Sequence, residues 1–248
     1  MKFTYFAYEN LINLIKRSGY CITDYNSYAG TDRPCILRHD VDMSLESAAK
    51  FAEFEANMKS GSVVSTYFVL ISSDLYNPFS KENIQHLKMI MSAGHEIGLH
   101  FDEKKYMTED DFDEEYLKDS VKKEAHVLSE IIERPVLSVF MHRPSKKFLE
   151  KDLTFDGLIN SYSKKFFKQF KYVSDSRMNW RENAEEIVSS GKENALHILT
   201  HPIWYGENEK TIGGILKKFI SSAVIERYRT VNDNLRNLEE IVKLEELQ

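Results

Sequence analysis

The sequence predicts an α/β fold built on a parallel sheet, and three observations carry that expectation. Short apolar, β-branched runs alternate with longer stretches of helical spacing. No repeat, low-complexity tract or linker divides the 248 residues, which hold only 10 Gly and 5 Pro, so a single domain is expected. The composition, 42% hydrophobic and 29% charged, supplies a sizeable core. Such alternation gives a parallel sheet covered by helices, either doubly wound or closed into a barrel, and periodicity does not choose between the two.

Strands are expected over residues 35–37, 63–71, 96–101, 136–141, 172–173 and 195–200, each a brief apolar run bounded by polar residues. Helical spacing covers 44–58, 81–92, 111–133 and 181–190, with Ser44 suited to an N-cap and the acids from Glu109 to Glu115 suited to a helix start. From 211 to about 246, Leu216, Phe219, Ile220, Ala223, Val231, Leu235, Leu238 and Val242 mark one helix or two, interrupted near 232–234. Such a stripe either covers a core or forms the seam of a homodimer.

Thirty-three Lys and Arg against 39 Asp and Glu leave a net charge of -6, which argues against a nucleic-acid partner. Glu9 and Asn10 interrupt the N-terminal apolar stretch, and no 18-residue apolar run occurs, so no integral membrane segment and a cytoplasmic location are expected. Cys21 and Cys35 form no CxxC motif and read as reduced thiols.

Costly polar residues gather at the downstream ends of the expected strands, where α/β folds build their sites. In Arg38-His39-Asp40-Val41-Asp42, alternation turns Asp40 and Asp42 to one face, where a divalent cation would relieve their repulsion; the alternative is a solvated turn that caps the next helix. In the run from Gly94 to Glu103, alternation puts Glu96, Gly98, His100 and Asp102 on one face, and imidazole with carboxylate is a normal ligand pairing for zinc. His95 reads as structural. His142-Arg143-Pro144 leaves a strand as a cationic fork for a carboxylate or oxyanion, or as a surface ion pair. Asp175 ends a strand and Trp180 follows it, while Leu199-Thr200-His201 delivers a histidine at a strand tip, where a general acid could stand.

Taken in order, these five places resemble the five motifs of the polysaccharide deacetylase family, the NodB-like (family 4-like) carbohydrate esterases: Asp40 with Asp42, His100 within GHEIGLH, Arg143-Pro144, Asp175 with Trp180, and Leu199-Thr200-His201. The resemblance spans about residues 35–204, leaving the first 30 residues and the C-terminal helical extension, 211–246, outside it. The RHDVD form with LHFD and THP is similar to a divergent branch associated with O-antigen, lipopolysaccharide or capsule biosynthesis. It implies a distorted (β/α) barrel of about seven parallel strands with a divalent metal at its C-terminal mouth: zinc foremost, with manganese, cobalt or nickel as alternatives.

The implied reaction is removal of an N-acyl group, N-acetyl above all, from an amino sugar carried on a nucleotide, a lipid or an oligosaccharide. The resemblance makes Asp42 and His100 metal ligands, Asp40 the base, Arg143 the cation that keeps Asp40 charged and oriented, and His201, positioned by Asp175, the acid. Trp180 and Trp204 would line the acyl or sugar pocket. The family's second motif supplies two histidines four residues apart, and here the second position is Lys104, which cannot ligate while protonated. Asp102, or else Glu103, is the expected third ligand. Lys104 also leaves open a barrel without stable metal that binds a glycan or a biosynthetic partner, and a phosphoesterase on a similar barrel is a third reading.

Overall fold

A computed structural model describes residues 1–247. The chain divides into two compact units, one of residues 1–207 and one from Asn208 onward. The first unit runs α1 (Tyr5–Arg17), β1 (Cys21–Thr23), β2 (Pro34–Val41), α2 (Leu45–Ala56), β3 (Thr66–Leu70), α3 (Lys81–Ser92), β4 (Glu96–Phe101), α4 (Glu114–Ile132), β5 (Ser138–Met141), α5 (Lys146–Glu150), β6 (Ile159–Asn160), β7 (Lys171–Ser174), α6 (Ala184–Ser190) and β8 (Leu196–Thr200). All strand pairs are parallel, in the order β6-β5-β4-β3-β2-β8-β7, with β1 pairing the start of β2. Seven strands therefore follow one path, as expected.

The sheet curls rather than lying open. Phe140 of β5, Phe68 of β3, Ile36 of β2 and Ala195 just before β8 belong to one buried cluster, although β5 and β2 are separated in the sheet by β4 and β3. Side chains of such distant strands meet only if one face closes around them. The edge strands β6 and β7 do not pair, and Phe166, from the π-helical turn 165–169 between them, packs into the same cluster. Gly98 makes room inside: a Cβ there would stand 2.6 Å from the Phe68 ring and 2.7 Å from Ser138 Oγ. The result is a half-barrel with an aromatic interior.

Helix starts follow local chemistry. Thr4, Ser44, Ser80 and Asp113 each accept a backbone N–H of the first turn of α1, α2, α3 and α4. The first 17 residues, outside the motif pattern, are built into the unit: Tyr8, Leu11, Ile12 and Ile15 of α1 are buried, and the Tyr8 ring meets Phe51 of α2 edge-on at 4.7 Å.

A second buried set lies on the outer face of β2, between the sheet and α1 and α2. Glu55 of α2 is fully buried and accepts from Tyr8 Oη at 2.6 Å and from Ser65 Oγ and Tyr67 Oη at 2.8 Å each. His39 Nε2 stands 3.2 Å from it, and His39 Nδ1 is 2.6 Å from Thr200 Oγ1. Ser65 Oγ also meets His95 Nδ1 at 2.8 Å. This brace ties β2 to β8 one residue away from Asp40 and His201.

The second unit comprises α7 (Ile212–Asn234), capped by Thr211, and α8 (Leu238–Ile241). The chain turns between them at Asn237 (φ 61°), close to the interruption expected at 232–234, and Tyr228 Oη donates to Val242 O at 3.1 Å. Among the described residues no helix is long and apolar enough to cross a membrane. Both cysteines are free.

Candidate active site

The ends of β2, β4, β5, β7 and β8 bring their polar residues to one mouth of the half-barrel. Alternation along β2 turns Arg38 and Asp40 inward, and Asp42 follows at its tip. His100 Nδ1 meets Phe140 O at 3.1 Å and its Nε2 meets Asp42 Oδ1 at 3.1 Å; both oxygens only accept, so each ring nitrogen carries a proton here, and Nε2 would release its proton to bind a cation while the Phe140 carbonyl keeps Nδ1–H. His142, just past β5, receives its place from a backbone bond, its N–H donating to Phe101 O at 2.7 Å. Its Nε2 is 3.9 Å from Asp42 Oδ1.

Asp42, His100 and His142 each offer one ligand-capable atom, and these atoms lie within 4.8 Å of one another. One carboxylate with two imidazoles is the donor chemistry of hydrolytic zinc sites, so these residues fit a divalent transition ion. Burial opposes ionisation of Asp42, but the His100 hydrogen bond and the charges of His100, His201 and His142 outweigh it and hold the carboxyl well below the usual range. Burial, then the charge of His100, pushes His142 below the ordinary imidazole value, which favours the neutral, ligating form.

Asp102, the expected third ligand, stands elsewhere. Its Oδ1 accepts the Lys104 N–H at 3.2 Å and caps the 3-10 turn 103–105, while its Oδ2 is 3.5 Å from His142 Nδ1. His142 supplies the second imidazole from the next strand, and Lys104 is exposed. Glu103 is buried and accepts the Ser145 N–H, anchoring the loop that carries His142; it is a brace, not a ligand.

Arg143 also departs from its expected place. It is exposed, adopts φ 52°, and donates from Nε to His142 Nε2 at 3.1 Å. The cation beside Asp40 is Arg38, fully buried, whose Nη2 is 3.2 Å from Asp40 Oδ2 and whose Cζ lies 3.1 Å from the centre of the Phe140 ring. Burial works against the Arg38 charge, but Asp40 together with Tyr172, Tyr25 and Tyr162 outweighs it and keeps the guanidinium protonated. The signal for Arg38 was present: i, i+2 spacing sets it on the face of Asp40.

Asp40 lies 4.0 Å from His100 Nε2 and lines a narrow cleft with Asp42, His201 and Trp204. His201 Nδ1 meets Asp175 Oδ1 at 2.6 Å, its backbone N–H donates to Asp175 Oδ2 at 3.1 Å, and its Nε2 is 3.8 Å from Asp42 Oδ2. Burial disfavours the imidazolium, yet the charge and hydrogen bond of Asp175, with Asp40 and Asp42 behind them, push its pKa up to about 9. Trp204 is buried in the cleft wall. Trp180 is half-buried and is not among the residues lining that cleft.

No family model and no curated protein matches the sequence. Among solved structures the chain is similar to a mutant of a CE4-family pseudoenzyme with restored enzymatic activity (16% identity, TM-score 0.42, 78% of this chain and 66% of that one). It is also similar to the wild-type CE4-family pseudoenzyme from Bacillus anthracis (17%, TM-score 0.41, 77% and 63%) and to a polysaccharide deacetylase from Bacillus cereus (15%, TM-score 0.39, 77% and 88%). The chain spans just under two thirds of the length of the first two. These likenesses are loose, and the functional reading rests on the site itself.

Proposed function

We propose that the chain is a metal-dependent hydrolase that removes an N-acyl group, N-acetyl foremost, from an amino sugar in surface-polysaccharide or glycoconjugate biosynthesis. The observation that carries this reading is the meeting, at one mouth, of the Asp42-His100-His142 set with a carboxylate held by an arginine, Asp40, and a carboxylate-held imidazole, His201. That is a ligand set, a base and an acid at one strand-end mouth. A divalent ion held by the three ligands would polarise the amide carbonyl and lower the pKa of water beside it.

The chain's own residues divide the remaining work. Asp40, kept ionised and aimed by Arg38, takes the proton of the attacking water. His201, protonated near neutrality and fixed by Asp175 through both ring and backbone, gives a proton to the departing amine. Trp204 offers an aromatic wall to the acyl methyl or the sugar ring. Lys104, the feature that favoured a metal-free binding barrel, loses weight once His142 stands in for the missing histidine.

The test is acetate release from a panel of N-acetyl amino sugars, free, nucleotide-linked and oligomeric, with added zinc. Release that stops on chelation is the expected result. A zinc-loaded protein that binds these sugars and releases no acetate from any of them would replace the hydrolase reading with the glycan-binding one.

A further inference from the structure

We infer that Asp102 is a positioning residue for the metal site, acting through His142 rather than ligating; the inference rests on the metal reading of Asp42, His100 and His142. The argument starts from the two faces of the His142 ring. Arg143 Nε donates to Nε2 at 3.1 Å, and a guanidinium has no lone pair to accept with, so Nε2 is the bare nitrogen and the proton of the neutral ring sits on Nδ1. Nδ1 has no hydrogen-bond partner within bonding geometry among the described residues, and the acceptor that faces it is Asp102 Oδ2 at 3.5 Å. Nε2, on the other side of the ring, is the nitrogen near Asp42.

Asp102 is itself held. Its second oxygen is committed to the Lys104 N–H, and it follows directly on Phe101, whose carbonyl accepts the backbone N–H of His142. The Glu103 carboxylate then fixes Ser145 on the same loop. Three successive residues of one segment, Phe101, Asp102 and Glu103, therefore address the loop that carries the ligand. A small closing movement of the Asp102 carboxylate onto Nδ1–H completes a carboxylate–imidazole pair, which fixes the tautomer, orients the ring and raises the basicity of Nε2. Arg143 must give up its bond to Nε2 as a cation takes that lone pair.

The experiment is zinc affinity by calorimetry, with a competing chelator, on the wild type and on Asp102→Ala, Asp102→Asn and Asp102→His, together with the side-chain 15N spectrum of His142 in the zinc-loaded protein. Asp102→Ala is expected to weaken zinc by about 10–100-fold. Asp102→Asn, which keeps an oxygen for the turn, should also weaken it, and Asp102→His should weaken rather than tighten it. The spectrum should show a protonated Nδ1 in wild type, with that signal shifted or exchange-broadened in Asp102→Ala. Tightening by Asp102→His would make residue 102 a ligand position and overturn the inference. An Asp102→Ala affinity within about twofold of wild type would overturn it too, since a turn cap alone then accounts for the carboxylate. A wild type that takes up no zinc overturns the metal reading and this inference with it, whereas the other two outcomes leave the metal reading standing.

Discussion

Asp40→Asn is expected to lower turnover by about 10²–10⁴-fold while leaving zinc affinity close to that of the wild type. Asp40 is 5% exposed, lines the cleft and stands outside the three-residue ligand set. An amide in its place keeps the shape and loses the basic lone pair. The substitution has a second consequence, because Arg38 is fully buried and Asp40 is its carboxylate partner. Removing one member of a buried pair costs about 3–5 kcal/mol when the other charge is stranded. The loss here is expected toward the lower end, since Phe140 stacks on the guanidinium. Melting temperature, zinc titration and kcat measured on one preparation separate these effects. Zinc loss equal to that of Asp42→Ala would make Asp40 a ligand and leave the base to another group.

A stability effect of similar size is expected at Glu55, which meets His39 on the face of β2 opposite Asp40. Burial disfavours its charge, and the charge and hydrogen bond of His39, then His95 and the Tyr8 hydroxyl, overcome that and hold its pKa at about 2, against 4.5 for a free glutamate. A carboxyl whose folded pKa is depressed stabilises the fold above its unfolded pKa, and that contribution drains away as pH falls from about 4.5 toward about 2. At 1.36 kcal/mol per unit the charge is worth about 3 kcal/mol at neutral pH. Glu55→Gln keeps the volume and loses that amount, so a fall in Tm of about 6–12 °C is expected at pH 7, using about 2–4 °C per kcal/mol for a unit of this size. The gap between the two proteins should narrow steadily below pH 4.5. Thermal unfolding across pH 7 to 2.5 reads both; a gap that stays constant with pH would mean that packing, not charge, is what Glu55 contributes.

What could be read in the sequence follows from how local each signal is. Alternation along a strand is a property of neighbouring residues, so the inward or tip positions of Asp40, Asp42, His100 and His201 follow from strand ends alone. The choice of half-barrel over open sheet needed contacts between strands far apart in sequence, such as Arg38 on Phe140, which no window of residues contains. β6, two residues long, and β1, three, are too short for any periodicity to register.

The departures at the site come from contacts between strands. Arg143 was assigned by its position within a motif and Asp102 by strand alternation on the face of His100, whereas the structure offers the same contacts from elsewhere: Arg38 beside Asp40, and His142 near Asp42 and His100. Arg38 received no role from the sequence; fully buried arginines are rare, and this one is tolerated by a carboxylate and an aromatic face together. His142 was read with its neighbour as a cationic fork, because sequence does not reveal that the two side chains part at a residue with φ 52°. The Glu55 brace joins Tyr8, His39, Ser65, Tyr67 and His95, and only the fold brings them together.

The central claim is that His142 completes a metal site with Asp42 and His100, and the zinc content of purified protein after dialysis tests it most directly, wild type beside His142→Ala. About one zinc per chain in the wild type and essentially none in His142→Ala is the predicted result, since three protein ligands are the minimum that hydrolytic zinc sites use. Equal zinc in the two proteins, or none in the wild type under zinc-replete conditions, would contradict it.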